Sequence, residues 1–218
     1  ILQIENEYYM PVRPKQVARE GEIPSRALAS RGVQYVELRA LDLDPFTAQG
    51  ISSDTVAFLD VFMFSSMLTP SPLFSQGSLK EIEKNIAQVA AYGRRPGLKL
   101  CLNQQTISFQ DASFAAFDRF EQVASWMDQQ HGQGPVYQNI VAGQKLKLTN
   151  VSLTPSAKVM TALTTPDVDY DGWVLQQSKQ HTASLRKLTV DGVQQAWLNK
   201  ITKQSQLDFK RLEDDACL

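Results

Sequence analysis

The first ten residues alternate in character. Leu2 and Ile4 point one way, with Tyr8 and Met10 following, while Gln3, Glu5, Glu7 and Tyr9 point the other. A period of two predicts a half-buried strand. Pro11 and Pro14 then bracket what reads as an extended turn. Residues 25–30 suit a short helix closed near Gly32. A second strand is predicted over residues 33–41. It places Gln34, Val36, Leu38 and Ala40 on one face and Val33, Tyr35, Glu37, Arg39 and Leu41 on the other. Pro45 ends it, because it lacks a donor and forces Asp44 away from helical backbone.

Beyond residue 52 the period lengthens to that of a helix. Ser53 is a candidate N-cap for a helix reaching residue 68, which Pro70, Ser71 and Pro72 terminate. A second helix is predicted over 78–92, stopped by Gly93. Residues 98–109 have extended character, interrupted by a polar centre from Asn103 to Thr106. Residues 111–130 form an amphipathic helix with Phe114, Phe117, Phe120, Val123 and Met127 near one face, a core stripe. Helices follow over 136–148 and 155–163. An acidic loop carries Pro166, Asp167, Asp169 and Asp171, without the glycine and closing glutamate of a calcium-binding loop, and reads as a solvated turn. Helices over 173–188 and 193–214 end the chain, with a Gln- and Lys-rich surface that reads as solvated.

Composition narrows the function classes. The 218 residues are 43% hydrophobic and 21% charged, which supports a packed core. A net charge of -1 supplies no field for nucleic acid or an acidic membrane surface, and no apolar run spans a bilayer, so neither partner is expected. Two isolated cysteines, Cys101 and Cys217, make neither a disulfide framework nor a metal cluster and predict a reduced, cytoplasmic protein. His131 and His181 lie in polar helical surroundings and suit solvated or capping roles. The chain opens on an apolar segment, Ile1-Leu2-Gln3-Ile4, as if inside a larger fold.

No phosphate-binding glycine loop, nucleophile elbow or zinc spacing is present. Chemistry concentrates in the predicted strands. Glu37 and Arg39 are two residues apart and share a face. A carboxylate and a guanidinium so placed can hold a divalent cation beside a phosphate. An exposed strand face with a weak ion pair fits the same residues. Glu5, Glu7 and Tyr9, followed by Arg13, Lys15 and Arg19, could line a nucleotide and metal cleft or form an ordinary polar sheet face.

The segments Leu2-Gln-Ile-Glu-Asn-Glu-Tyr-Tyr9, Pro11-x-Arg13-Pro14-Lys15-Gln16, Gly32-Val-x-Tyr35-x-Glu37-x-Arg39 and Leu41-Asp42-x-x-Pro45-Phe46 together resemble the γ-proteobacterial glutamate–cysteine ligase family. Phe58-Leu59-Asp60-x-Phe62-Met63 and Gly93-Arg94-x-Pro96-Gly97-Leu98 continue in register, and the last hundred residues match more loosely. The resemblance implies an α+β fold. Residues 1–50 would be part of a glutamine-synthetase-like antiparallel catalytic sheet, and residues 51–218 a largely helical region packed on it. It implies ATP-dependent ligation of the glutamate γ-carboxylate to the cysteine amine through a γ-glutamyl phosphate, the first step of glutathione biosynthesis. Mg²⁺ is the implied metal, with Mn²⁺ as an alternative, and ATP the co-substrate.

By the same resemblance Glu37 is a metal ligand, and Arg39 is a catalytic and substrate-binding arginine on the transferred phosphoryl group. Tyr9 lines the cysteine pocket. For Lys15, Arg13 and Arg19 an ATP-binding role rests on charge and family pattern alone. The chain corresponds to the back part of the family's sequence, so the N-terminal part of the same enzyme is an expected partner and the fragment is expected to be inactive alone. The alternative reading is a binding or interaction module that shares the scaffold without its chemistry.

Overall fold

The computed structural model describes residues 11–164 and 168–216. The predicted strand over residues 1–10 lies outside them, as do Tyr9, Pro166, Asp167 and Cys217. The fold is α+β: small antiparallel sheets and a largely helical remainder. The chain divides into two compact units, one ending at Asp44 and the other starting at Pro45.

The first unit holds β1 (Val12–Lys15), α1 (Pro24–Arg31) and β2 (Tyr35–Leu38). The two strands pair antiparallel, with Val12 opposite Leu38, Arg13 opposite Glu37, Pro14 opposite Val36 and Lys15 opposite Tyr35. The segment around Pro14, expected as a turn, is therefore a strand. The register explains the tolerance. Arg39 N–H donates to the Pro11 carbonyl at 2.7 Å. Hydrogen-bonded pairs then recur every second residue, and Pro14 falls at a non-bonded position where its missing N–H costs no ladder bond. The second strand is also shorter than the predicted 33–41. Gly32 stops α1 as expected, with φ of 76° and its N–H on the Leu28 carbonyl.

The second unit runs through α2 (Ser53–Leu68), α3 (Gln76–Tyr92), β3 (Lys99–Leu102), β4 (Gln105–Ser108), α4 (Phe109–His131), α5 (Val136–Thr149), α6 (Pro155–Leu163), α7 (Tyr170–Leu185) and α8 (Gly192–Ala216). Short polar side chains start α2, α3, α4, α6 and α7. Ser52, one residue before the expected cap, accepts from Thr55 N–H at 3.1 Å. Ser75, Ser108 and Thr154 cap α3, α4 and α6. Asp169 of the acidic loop caps α7 by accepting from Gly172 N–H at 2.6 Å, so its carboxylate serves a helix end. His181 contacts the Pro45 carbonyl oxygen at 2.8 Å, and His131 lies against Tyr137.

The polar centre at 103–106 resolves into a hairpin. Asn103 and Gln104 both have positive φ, 52° and 64°, the signature of a two-residue type I′ turn. β3 and β4 flank it in register, with Cys101 opposite Thr106. Helix α3 grips this hairpin through side chains. Asn85 donates to the Cys101 carbonyl at 2.6 Å and accepts from its N–H at 3.0 Å, and Glu81 accepts from Gln104 N–H at 3.0 Å.

The core lies between α2, α4 and α5. Val61, Phe117, Phe120, Val123, Ala124, Met127 and Val141 are buried together, with Phe58 and Phe62 packed against them. The buried positions of α4 repeat at three and four residues, as the amphipathic pattern requires. Asp128 is a charged member of this interior, 6% exposed. It belongs to α4 but serves α5. Its carboxylate accepts from Tyr137 N–H at 2.8 Å, Gln138 N–H at 3.0 Å and the Gln138 side chain at 3.2 Å. Burial alone pushes the carboxyl pKa up, but the converging N–H donors of α5 outweigh it and hold the group below its ordinary value. Asp128→Ala strands those donors in a buried position and is expected to cost about 1.5–3 kcal/mol of unfolding free energy by urea titration.

Candidate functional site

Alternation decides what the first hairpin presents. Val12, Pro14, Val36 and Leu38 share one face. Arg13, Lys15, Tyr35, Glu37 and Arg39 share the other. Glu37 lies between two cations. Arg39 Nε is 2.9 Å from its Oε1, and Lys15 Nζ is 3.3 Å from its Oε2. These side chains are about one-third exposed or less, at 36% for Glu37, 32% for Arg39 and 27% for Lys15. The Arg39 hydrogen bond, with Lys15 adding to it, holds the Glu37 carboxyl below the usual carboxylate range against the opposing effect of burial. Glu37 is therefore an anion throughout the neutral range.

The two oxygens of Glu37 differ. Among the described residues, Oε2 is closed to solvent yet has no donor in hydrogen-bonding geometry. Its contact with Lys15 is ionic in distance only. A shielded acceptor without a donor suits a hard cation, which binds carboxylate oxygen without needing a proton to aim. No group of three or more His, Cys, Asp or Glu capable of holding a metal occurs among the described residues. Glu37 would thus be one ligand of a site completed elsewhere.

Of the residues expected to matter, Lys15, Glu37 and Arg39 come together. Arg13 joins their face as the ladder partner of Glu37. Arg19 does not. It is exposed in the loop after β1, where its backbone N–H donates to Glu22 Oε2 at 2.9 Å. Tyr9 lies outside the described residues.

The sequence reading missed what braces this hairpin. Arg31 meets Glu22 with both terminal nitrogens, at 2.8 and 2.7 Å, and donates to the Val17 carbonyl at 2.9 Å. Gln16 donates to the Gly32 carbonyl at 3.0 Å, and Gln34 accepts from Val17 N–H at 3.3 Å. These bonds extend the strand pairing past Lys15 and fix the direction from which its side chain leaves. The Arg31 fork, then the Arg19 N–H, pull the Glu22 carboxyl from an ordinary 4.5 to about 2. The sign follows. A depressed pKa adds stability that is complete above 4.5 and lost as pH falls from there towards 2. In Arg31→Met the Glu22 midpoint, read by carboxyl carbon NMR, is expected to return towards 4.5. A midpoint that stays near 2 would exclude the fork as its cause.

Comparison with known proteins places this hairpin. A family model described as glutamate-cysteine ligase matches residues 1–89, which include every residue of the charged face. The glutamate–cysteine ligase of Pseudomonas putida is 38% identical over 215 residues, covering 99% of this chain and 41% of that protein. The crystal structure of the Francisella tularensis glutamate–cysteine ligase in complex with AMP superposes with a TM-score of 0.85 at 35% identity, over 97% of this chain and 41% of that one. A bifunctional glutathione synthetase from Pasteurella multocida shares the fold at a TM-score of 0.63 and 23% identity, over 84% of this chain and 22% of that one. The chain spans about two-fifths of the length of the curated relatives it matches. The charged hairpin lies inside the matched segment, and along nearly its whole length this chain is similar to part of the glutamate–cysteine ligases.

Proposed function

We propose that this chain supplies one wall of the active site of a cytoplasmic ligase. That ligase joins the γ-carboxylate of glutamate to the amine of cysteine at the expense of ATP, in glutathione biosynthesis. The observation that carries the reading is the row Lys15–Glu37–Arg39 on one strand face, within the segment that matches the family. The AMP bound to the Francisella relative supports an adenine nucleotide as co-substrate.

The roles follow from the chemistry of each group. Arg39 offers a planar guanidinium to the oxygens of the phosphoryl group passing from ATP to the glutamate carboxylate. Transfer gives a γ-glutamyl phosphate and ADP. Attack by the cysteine amine on its carbonyl carbon then releases phosphate. Glu37 would present Oε2 to a Mg²⁺ ion, or Mn²⁺ in its place. The ion, when bound, withdraws negative charge from the phosphate oxygens. Lys15 and Arg13 share the face and add positive charge along the polyphosphate. Arg19 stands in the neighbouring loop, and the case for it rests on charge alone. Tyr9 is assigned to the cysteine pocket by family pattern.

The remaining metal and substrate residues belong to the rest of the ligase polypeptide. These 218 residues by themselves are therefore expected to form no γ-glutamylcysteine from ATP, glutamate and cysteine. Product from the purified chain in a coupled ADP-release assay, confirmed by mass spectrometry, would overturn that division of labour. Activity restored by adding the missing part in trans would support it.

A further inference from the structure

The two cations on Glu37 are not equivalent. Arg39 follows it on the same strand, its backbone N–H is fixed to the Pro11 carbonyl, and its Nε bonds Oε1 at 2.9 Å. A guanidinium is permanently charged and held in a rigid plane, so this contact orients the carboxylate. Lys15 reaches across from β1 on a flexible four-carbon stem and stands 3.3 Å from Oε2, outside hydrogen-bonding geometry. One oxygen is thus locked by a directional bond. The other is shielded from water and is faced only by a point charge among the described residues.

We propose that Lys15 is a positioning residue that holds the metal-binding oxygen of Glu37 in the metal-free enzyme and is displaced by the incoming divalent cation. This rests on the reading of Glu37 as a metal ligand. An ammonium and a divalent ion cannot occupy the same side of one carboxylate oxygen, so they compete for it. Lys15 keeps a compensating positive charge 3.3 Å from Oε2 when the site is empty. Once displaced, the ammonium remains on the charged face beside Arg13, where phosphate oxygens can receive it. Metal entry and polyphosphate binding are then linked through one side chain, and linkage requires that each strengthen the other.

The test uses the complete ligase and Mn²⁺ as probe, titrated without nucleotide and followed by electron paramagnetic resonance. Glu37→Gln identifies the site by weakening one class of bound Mn²⁺. At that site Lys15→Met is expected to bind Mn²⁺ about two- to five-fold more tightly, the factor that corresponds to removing a competing, partly exposed ion pair. Lys15→Arg, which keeps the charge, is expected to show no such gain. Lys15→Gln, with circular dichroism and thermal melting, serves as a second neutral variant should Lys15→Met fold poorly. Mn²⁺ affinity that is unchanged or weaker in the folded neutral variants, while Glu37→Gln still loses the site, would overturn the displacement and leave the Glu37 ligand in place. Wild-type Mn²⁺ binding by Glu37→Gln would overturn both.

Discussion

Arg39→Ala in the complete ligase is expected to lower kcat by about 10²–10³-fold, the usual loss when one preorganised group facing transition-state charge is removed. The geometry makes this a loss of chemistry rather than of folding. The strand at Arg39 is held by its backbone N–H on Pro11, which alanine retains. The side chain is 32% exposed and fills no core. Its closest approach to Glu37 is through Nε, at 2.9 Å. Arg39→Lys keeps the charge but not the planar edge, and should recover only part of the loss. The thermal midpoint of both variants should stay near that of the parent. Parent-like turnover in Arg39→Ala would remove the phosphoryl-binding role. A kcat loss accompanied by an equally large fall in melting temperature would point to a structural role.

How far this face could be read in the sequence depends on the range of the interaction. Glu37 and Arg39 are neighbours on one strand, so alternation alone put them on the same side. The short polar residues that cap α3, α4, α6 and α7 act within three residues of themselves, and the helices they start were legible with small errors at the ends. Lys15 meets Glu37 across a strand pair whose register no local pattern specified. Pro14 argued for a turn, because the ladder position that tolerates it is defined only by the partner strand. The Glu22–Arg31 fork joins a loop to a helix nine residues on. Asp128 is not marked by any local pattern in its helix, and only the start of α5, packed beside it, makes it an internal cap. At Asn103-Gln104 the signal was present but unusual. Asn-Gly is the familiar type I′ pair, and a glutamine with φ of 64° is not what the turn residues advertise.

Phe120→Ala is expected to destabilise the helical unit by about 3–5 kcal/mol, a large part of the 5–15 kcal/mol that ordinarily holds a domain together. Phe120 is 9% exposed and is the ring on which the others converge. Its centroid lies 5.4 Å from Phe117, 5.6 Å from Phe58 and 6.1 Å from Phe62, all near edge-to-face. Removing it deletes its own buried surface and takes one aromatic partner from each of three rings, and the crossing of α2 over α4 cannot close on an alanine. Phe120→Leu restores most of the volume and should cost much less, about 1.5 kcal/mol or under. Phe64 supplies the contrast. It also faces an aromatic ring, Trp126 at 6.1 Å, but is 41% exposed, so Phe64→Ala should cost well under half as much as Phe120→Ala. Urea unfolding of the three variants checks the order. Equal losses for Phe120→Ala and Phe64→Ala would mean that burial between α2, α4 and α5 is not what holds this unit together.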